Sequence, residues 1–210
     1  MKTKRILSVL SILLAALLLA PALALPASAS GADFADDILL LVNAEREAEG
    51  LPALKTSIAG LHKAATVRVS ECVVKFDIVE HMRPNGTIWH TALKENGVTR
   101  YATAGETLAA GYDTPAEVIA AWMDNAQDRT NILHEKFTHV GIGVYEGEFQ
   151  LGDDPQQGYI VALQFIMESK YKHPDTMSAA ELFLQNIWIA VIESWNGLIQ
   201  KLLDLFNFAK

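Results

Sequence analysis

Residues 105–145 read GETLAAGYDTPAEVIAAWMDNAQDRTNIL (105–133) and then HEKFTHVGIGVY (134–145). Thr114-Pro115-Ala116-Glu117 is a capping box with proline at the first helical position, where its missing N–H costs nothing. The helix it opens carries Val118, Ile119 and Trp122 on one face. A shorter helical turn is expected over 128–133. Val140, Ile142 and Val144 alternate with other residues and predict a strand over 140–146, in which Gly141 and Gly143 allow another element to approach closely. A second strand is expected over 158–166, where Tyr159, Val161, Leu163 and Phe165 alternate. The polar stretch 147–157 between them reads as an exposed hairpin loop, and Gly105-Glu106 as a turn.

Upstream, 36–49 predicts a first helix from the spacing of Ile38, Leu41, Val42 and Arg46, stopped by Gly50. Ser57 is the expected cap of a second helix reaching about residue 75, with Leu61, Ala64, Ala65, Arg68 and Cys72 along it. Arg83-Pro84-Asn85-Gly86 is a turn signal, followed by a short helix over 87–96. Helices alternating with a small antiparallel sheet predict an α+β layered domain.

The first 29 residues have the order of a secretory signal peptide: Lys2, Lys4 and Arg5, an apolar run from Ile6, then small residues to Ala29. Its loss removes three cations and no carboxylates, taking the formal net charge from −8 to −11. Nucleic acid and anionic lipid both repel so acidic a chain, so nucleic acid is not an expected partner. About 180 residues would remain, enough for one domain with a core. The single cysteine, Cys72, precludes an internal disulfide. A small buried apolar role is preferred for it over a reactive thiol.

Beyond Pro174 the character changes. Ser178-Ala179-Ala180-Glu181 is a second capping box, opening an amphipathic helix within 175–210. Leu184, Ile187, Val191, Trp195, Leu198, Leu202 and Leu205 form a stripe that Trp188, Ile192, Ile199 and Phe206 widen. Glu193, Lys201 and Asp204 argue against a transmembrane span, since each charge at mid-bilayer costs about 3 kcal/mol. Two fates are open for residues 178–206: docking on the domain's own core or another subunit, and peripheral lodging in a membrane interface.

No nucleophile elbow, phosphate loop or paired-cysteine zinc site is present. His134 and His139 are five residues apart, not the four of a metalloprotease helix, so the second ring falls on another face. The ordered set H-x-R-P-x-G (from His81), G-E-x-L-A-x-G (from Gly105), the Trp122 helix, R-x-N-I-L (from Arg129) and T-H-V-G-I-G (from Thr138) instead resembles the CAP superfamily. That superfamily comprises the cysteine-rich secretory proteins, antigen 5 and pathogenesis-related proteins, and the likeness is to its bacterial SCP-like branch over about 36–170. The resemblance implies an α–β–α sandwich with a small antiparallel sheet between helices, to which the C-terminal helix is an addition.

The resemblance also implies a cleft. The family's first histidine falls on His81 and its glutamate on Glu106. Its second histidine falls on Asp128, and a further acidic position on Asn125. In members with the full set these side chains can bind a divalent cation such as zinc, which here would rest on His81 and Asp128. An aspartate in place of a histidine shifts preference toward harder ions. Glu106 is the candidate general base, or else pairs with Arg129 or accepts amide hydrogens in its turn. His81 would otherwise bond a backbone carbonyl. Two functions follow. The preferred one is a non-enzymatic binding module, secreted and extracellular or associated with the cell surface, whose cleft engages a protein, peptide or lipid. The alternative is a metal-assisted hydrolase using His81, Glu106 and Asp128.

Overall fold

The computed structural model describes residues 31–74, 81–151 and 154–207, so the leader expected over 1–29 lies outside the described residues. Along the chain come α1 (Gly31–Ala48), α2 (Ala59–Val74), α3 (Thr91–Glu95), β1 (Tyr101–Tyr112), α4 (Pro115–Asp124), α5 (Ala126–Ile132), β2 (His139–Leu151), β3 (Asp154–Glu168) and α6 (Ala179–Asn207). The strands form an antiparallel sheet in the order β1-β3-β2.

Strand β3 is apolar on both faces because both are covered. Val161, Leu163 and Phe165 meet Phe34, Ile38 and Val42 of α1 and Val118, Ile119 and Trp122 of α4. On the other face Ile166 packs with Leu61 of α2 and Leu93 of α3, while Ile160 and Ala162 pack with Val69 and Cys72 of α2. A strand's period of two sends alternate residues to opposite cores. The result is the expected α–β–α sandwich, with Cys72 buried as expected.

Helix α2 lies directly on β2, and the two strand glycines permit it. A Cβ at Gly143 would press on the Ala65 carbonyl and lie 2.8 Å from the Thr66 nitrogen; one at Gly141 would meet the Leu61 backbone. These are backbone atoms that cannot swing aside. Gly143→Ala should therefore cost about 1–3 kcal/mol, the usual penalty of overpacking, read as a lower urea midpoint; unchanged stability would mean that α2 can lift off the sheet.

Several local expectations need correction. Glu106 is not in a turn but in the middle of β1, a third strand. The polar stretch 147–157 is not a loop: β2 and β3 stay paired down to Leu151↔Asp154. Glu148, Gln150, Gln156 and Gln157 are exposed along a two-stranded ribbon, while Phe149 is buried against the α2 cluster. Helix α2 starts two residues after Ser57, and the helix expected over 87–96 shrinks to five residues. There the chain is held as a turn by Asn85 Oδ1, which accepts from the Thr87 N–H and hydroxyl. Both capping boxes form, at Thr114–Glu117 and Ser178–Glu181.

The last correction concerns α6. It does not dock on the domain's core: from Leu182 to Leu203 its large apolar side chains are exposed, Trp188 at 65% and Trp195 at 61%. Among the described residues no helix is long and apolar enough to cross a membrane.

Candidate functional site

Among the described residues strand β1 has only β3 beside it, so its other edge presents backbone groups that need partners. Side chains from the stretch 105–145 supply two of them. Asn131 Nδ2 donates to the Glu106 carbonyl at 2.9 Å, and Trp122 Nε1 donates to the Leu108 carbonyl at 3.0 Å. Gly105 is required here, since a Cβ would sit 2.8 Å from Asn131 Oδ1 and 3.0 Å from the Phe137 ring. This edge, sealed by α4 and α5, carries the cleft.

The Glu106 side chain points under α2 and is 3% exposed. Arg68 grips it with two donors, Nε to Oε2 at 2.8 Å and Nη2 to Oε1 at 3.1 Å. Gln164 Nε2, directly across the strand pair, donates to Oε2 at 3.1 Å. His81 Nδ1 lies 2.8 Å from Oε1. Burial alone would raise the Glu106 carboxyl, but the hydrogen bonds from His81, Arg68 and Gln164 and the Arg68 charge outweigh it and hold it below the usual carboxylate range. The expected pairing with Arg129 does not occur; Arg129 reaches Glu49 instead, at the surface.

Because the Glu106 carboxylate can only accept, Nδ1 of His81 carries a proton and donates it to Oε1. His81 therefore bonds a carboxylate, not the backbone carbonyl considered from sequence. Its backbone has φ 56°, unusual for a residue with a side chain. Arg68 Nη2 steadies that conformation by donating to the His81 carbonyl at 3.3 Å. The Arg68 guanidinium also bonds Glu71, which pairs with Arg83, which in turn pairs with Glu95. This alternating chain of charges ties the His81 segment to α2 and α3.

His81 and Glu106 border a cleft of about 240 Å³ that is completed by Trp89, Ala104, Gly105, Gln127 and Asn131. Asp128 and Asn125 border a different hollow farther along β1, of about 270 Å³, beside Leu108, Tyr112 and Trp122. Asn125 is occupied as the cap of α5, its Oδ1 accepting from the amides of Gln127 and Asp128. Burial raises the Asp128 carboxyl, partly opposed by a hydrogen bond from Thr107 and by the charge of nearby His81. The site therefore joins His81 to Glu106 directly and Asp128 to His81 through the field only. Sequence reading missed Arg68 and Gln164 as partners and Trp89 as a wall. The available signals were a lone arginine on the apolar face of α2 and a lone glutamine in the apolar run 160–166.

A zinc ion at a catalytic site takes about three protein ligands. Here His81 Nε2 and Asp128 offer two, both Glu106 oxygens are engaged, and the described residues contain no cluster of three or more His, Cys, Asp or Glu fit to hold a metal. The donor set among the described residues therefore does not fit such a zinc. His139, expected in the core, is buried with its Nδ1 2.9 Å from the Thr138 hydroxyl.

A family model described as the cysteine-rich secretory protein family (CAP) matches residues 39–165. The uncharacterized protein YkwD of Bacillus subtilis (strain 168) is 37% identical over 109 residues, 52% of this chain and 41% of that protein. An extracellular SCP-domain protein of Bacillus anthracis aligns with TM-score 0.53 at 21% identity, covering 68% of this chain and 45% of that one. A cysteine-rich secretory protein of Staphylococcus aureus aligns with TM-score 0.51 at 19% identity, covering 67% and 40%. The chain thus spans less than half the length of each of these relatives.

Proposed function

The chain belongs to the cysteine-rich secretory protein (CAP) family, and on that premise we propose that it is a non-enzymatic extracellular binding module whose cleft at the β1 edge engages a protein, peptide or lipid. The observation that carries this reading is the saturation of Glu106. A general base needs a pKa near the working pH and a lone pair free to take a proton. Glu106 has four donors on its two oxygens and is held below the usual carboxylate range. Its role is to orient His81 and to neutralise buried Arg68.

A cleft of about 240 Å³ is smaller than the roughly 300–1,000 Å³ of pockets that enclose a whole small molecule. It suits a side chain or a headgroup protruding from a larger ligand. Trp89 gives it an apolar wall, and His81, Gln127 and Asn131 give it polar contacts. The extracellular location rests on the signal-like leader and on relatives described as secreted or extracellular.

One observation favours the metal-assisted hydrolase as a second reading: a carboxylate on Nδ1 is how many proteins present Nε2 to a metal or substrate. Calorimetric titration with zinc chloride, followed by a peptide-cleavage assay with and without zinc, separates the two. The binding-module reading expects no zinc binding tighter than millimolar and no cleavage. Zinc-stimulated cleavage that disappears in His81→Ala would establish the hydrolase instead.

A further inference from the structure

Helix α6 carries a second pattern within its apolar stripe. Leu184, Trp188, Val191, Trp195, Leu198 and Leu202 follow one another at spacings of four, three, four, three and four. That alternation of threes and fours is the a/d seam pattern of a coiled coil, carried over about two and a half heptads. All six side chains are exposed in the single chain, between 40% for Val191 and 65% for Trp188. The polar residues Asn186, Glu193, Gln200 and Asp204 gather on the opposite side of the helix.

We infer that α6 is a homotypic coiled-coil helix, and that the partner covering its seam is the same helix of a second copy of this chain. Area supports this. An aromatic side chain presents about 150–250 Å², so the two tryptophans alone leave on the order of 250 Å² open. With the four aliphatic seam positions and the flanking Ile192 and Ile199, the exposed seam approaches the roughly 800 Å² per partner of a stable interface. Charge supports it over lipid. Glu181 is already paired with Lys172, and the remaining charges, Glu193, Lys201 and Asp204, sum to one negative charge on a chain that is itself acidic. Helices that lie on membranes carry Lys and Arg along the polar face; α6 has one lysine there.

Sedimentation equilibrium of the purified protein at micromolar concentration tests the inference. The expected mass is at least twice that of one chain, falling to a monomer in Trp195→Glu and in Leu198→Glu, with the CAP domain's near-ultraviolet circular dichroism retained. Glu193→Gln, on the opposite face, should leave the assembly intact. A monomeric wild type overturns the inference. If that monomer also co-sediments with phosphatidylglycerol vesicles, the seam faces lipid. An assembly that survives both seam substitutions overturns it equally.

Discussion

Glu106→Gln should lower the unfolding free energy by about 3–5 kcal/mol, the cost of breaking a buried ion pair from one side. Arg68 is 1% exposed and would keep its charge with no buried carboxylate at that end. The amide would offer one acceptor oxygen to donors from Arg68, His81 and Gln164, and its own NH₂ would confront others. The pH dependence follows from the direction of the shift. Glu106 has a folded pKa below its unfolded value of about 4.3, so its stabilisation is complete above that pH and is lost as pH falls through the folded pKa. Urea unfolding of wild type and variant should therefore differ most near neutrality and converge in acid. A difference within about 0.5 kcal/mol at neutral pH, the scale of an ordinary surface substitution, would show that the network contributes nothing to stability.

Arg46→Met should rank second, at on the order of 4 kcal/mol. Arg46 is fully buried near the end of α1, and its guanidinium donates to the carbonyls of Pro52 at 2.9 Å, Ile132 at 2.7 Å, His134 at 3.0 Å and Phe137 at 3.3 Å. Burial pulls its pKa down. Methionine keeps the aliphatic stem but leaves those acceptors bare, and an unsatisfied buried polar group costs about 1–3 kcal/mol. Relaxation toward water recovers part of that sum. Arg46→Lys should lose less, because an ammonium restores some donors but cannot fan out to four carbonyls. Chemical denaturation of both variants checks the order; equal losses would mean that the lysine ammonium restores none of these hydrogen bonds, and no loss in either would mean that the packed stem alone matters. Three of these carbonyls, those of Ile132, His134 and Phe137, run from the end of α5 toward β2, beside Asn131 at the cleft edge.

Arg46 also illustrates what the sequence allows to be read. Its place on the apolar face of the first helix, four residues after Val42, marks it as buried. Nothing local says that three of its four partner carbonyls lie 86, 88 and 91 residues away. Capping boxes and the proline–glycine turn are legible because each is decided by neighbours in the chain, and Gly141 and Gly143 mark a close approach without saying that its partner is α2. The strand at Glu106 is not: GETLAAGY lacks the β-branched alternation of a typical strand, and it is strand by virtue of pairing with β3. The ribbon over 147–157 was obscured by polarity, which in a solvent-facing hairpin says little about pairing.

The site follows the same division. His81 and Glu106 come together as the family resemblance implies, because the turn after Arg83 and the edge strand are both anchored to α2. The meaning of Glu106 depends on Arg68 and Gln164, and no spacing rule connects those positions. Asp128 keeps its place on α5 but lines the next hollow, since Asn125 caps the helix and Thr107 draws the carboxylate toward β1.

The proposed function makes Glu106 an ionised strut and not a base. Carbon-13 NMR titration of the glutamate side-chain carboxyls, with Glu106 assigned, reads this directly. An ionised Glu106 signal is expected from neutral pH down past the usual carboxylate range, because the donors from His81, Arg68 and Gln164 and the Arg68 charge outweigh burial. A Glu106 carboxyl that takes up a proton near pH 6–7 in the folded protein, the range of a tuned general base, would contradict it and return the residue to catalysis.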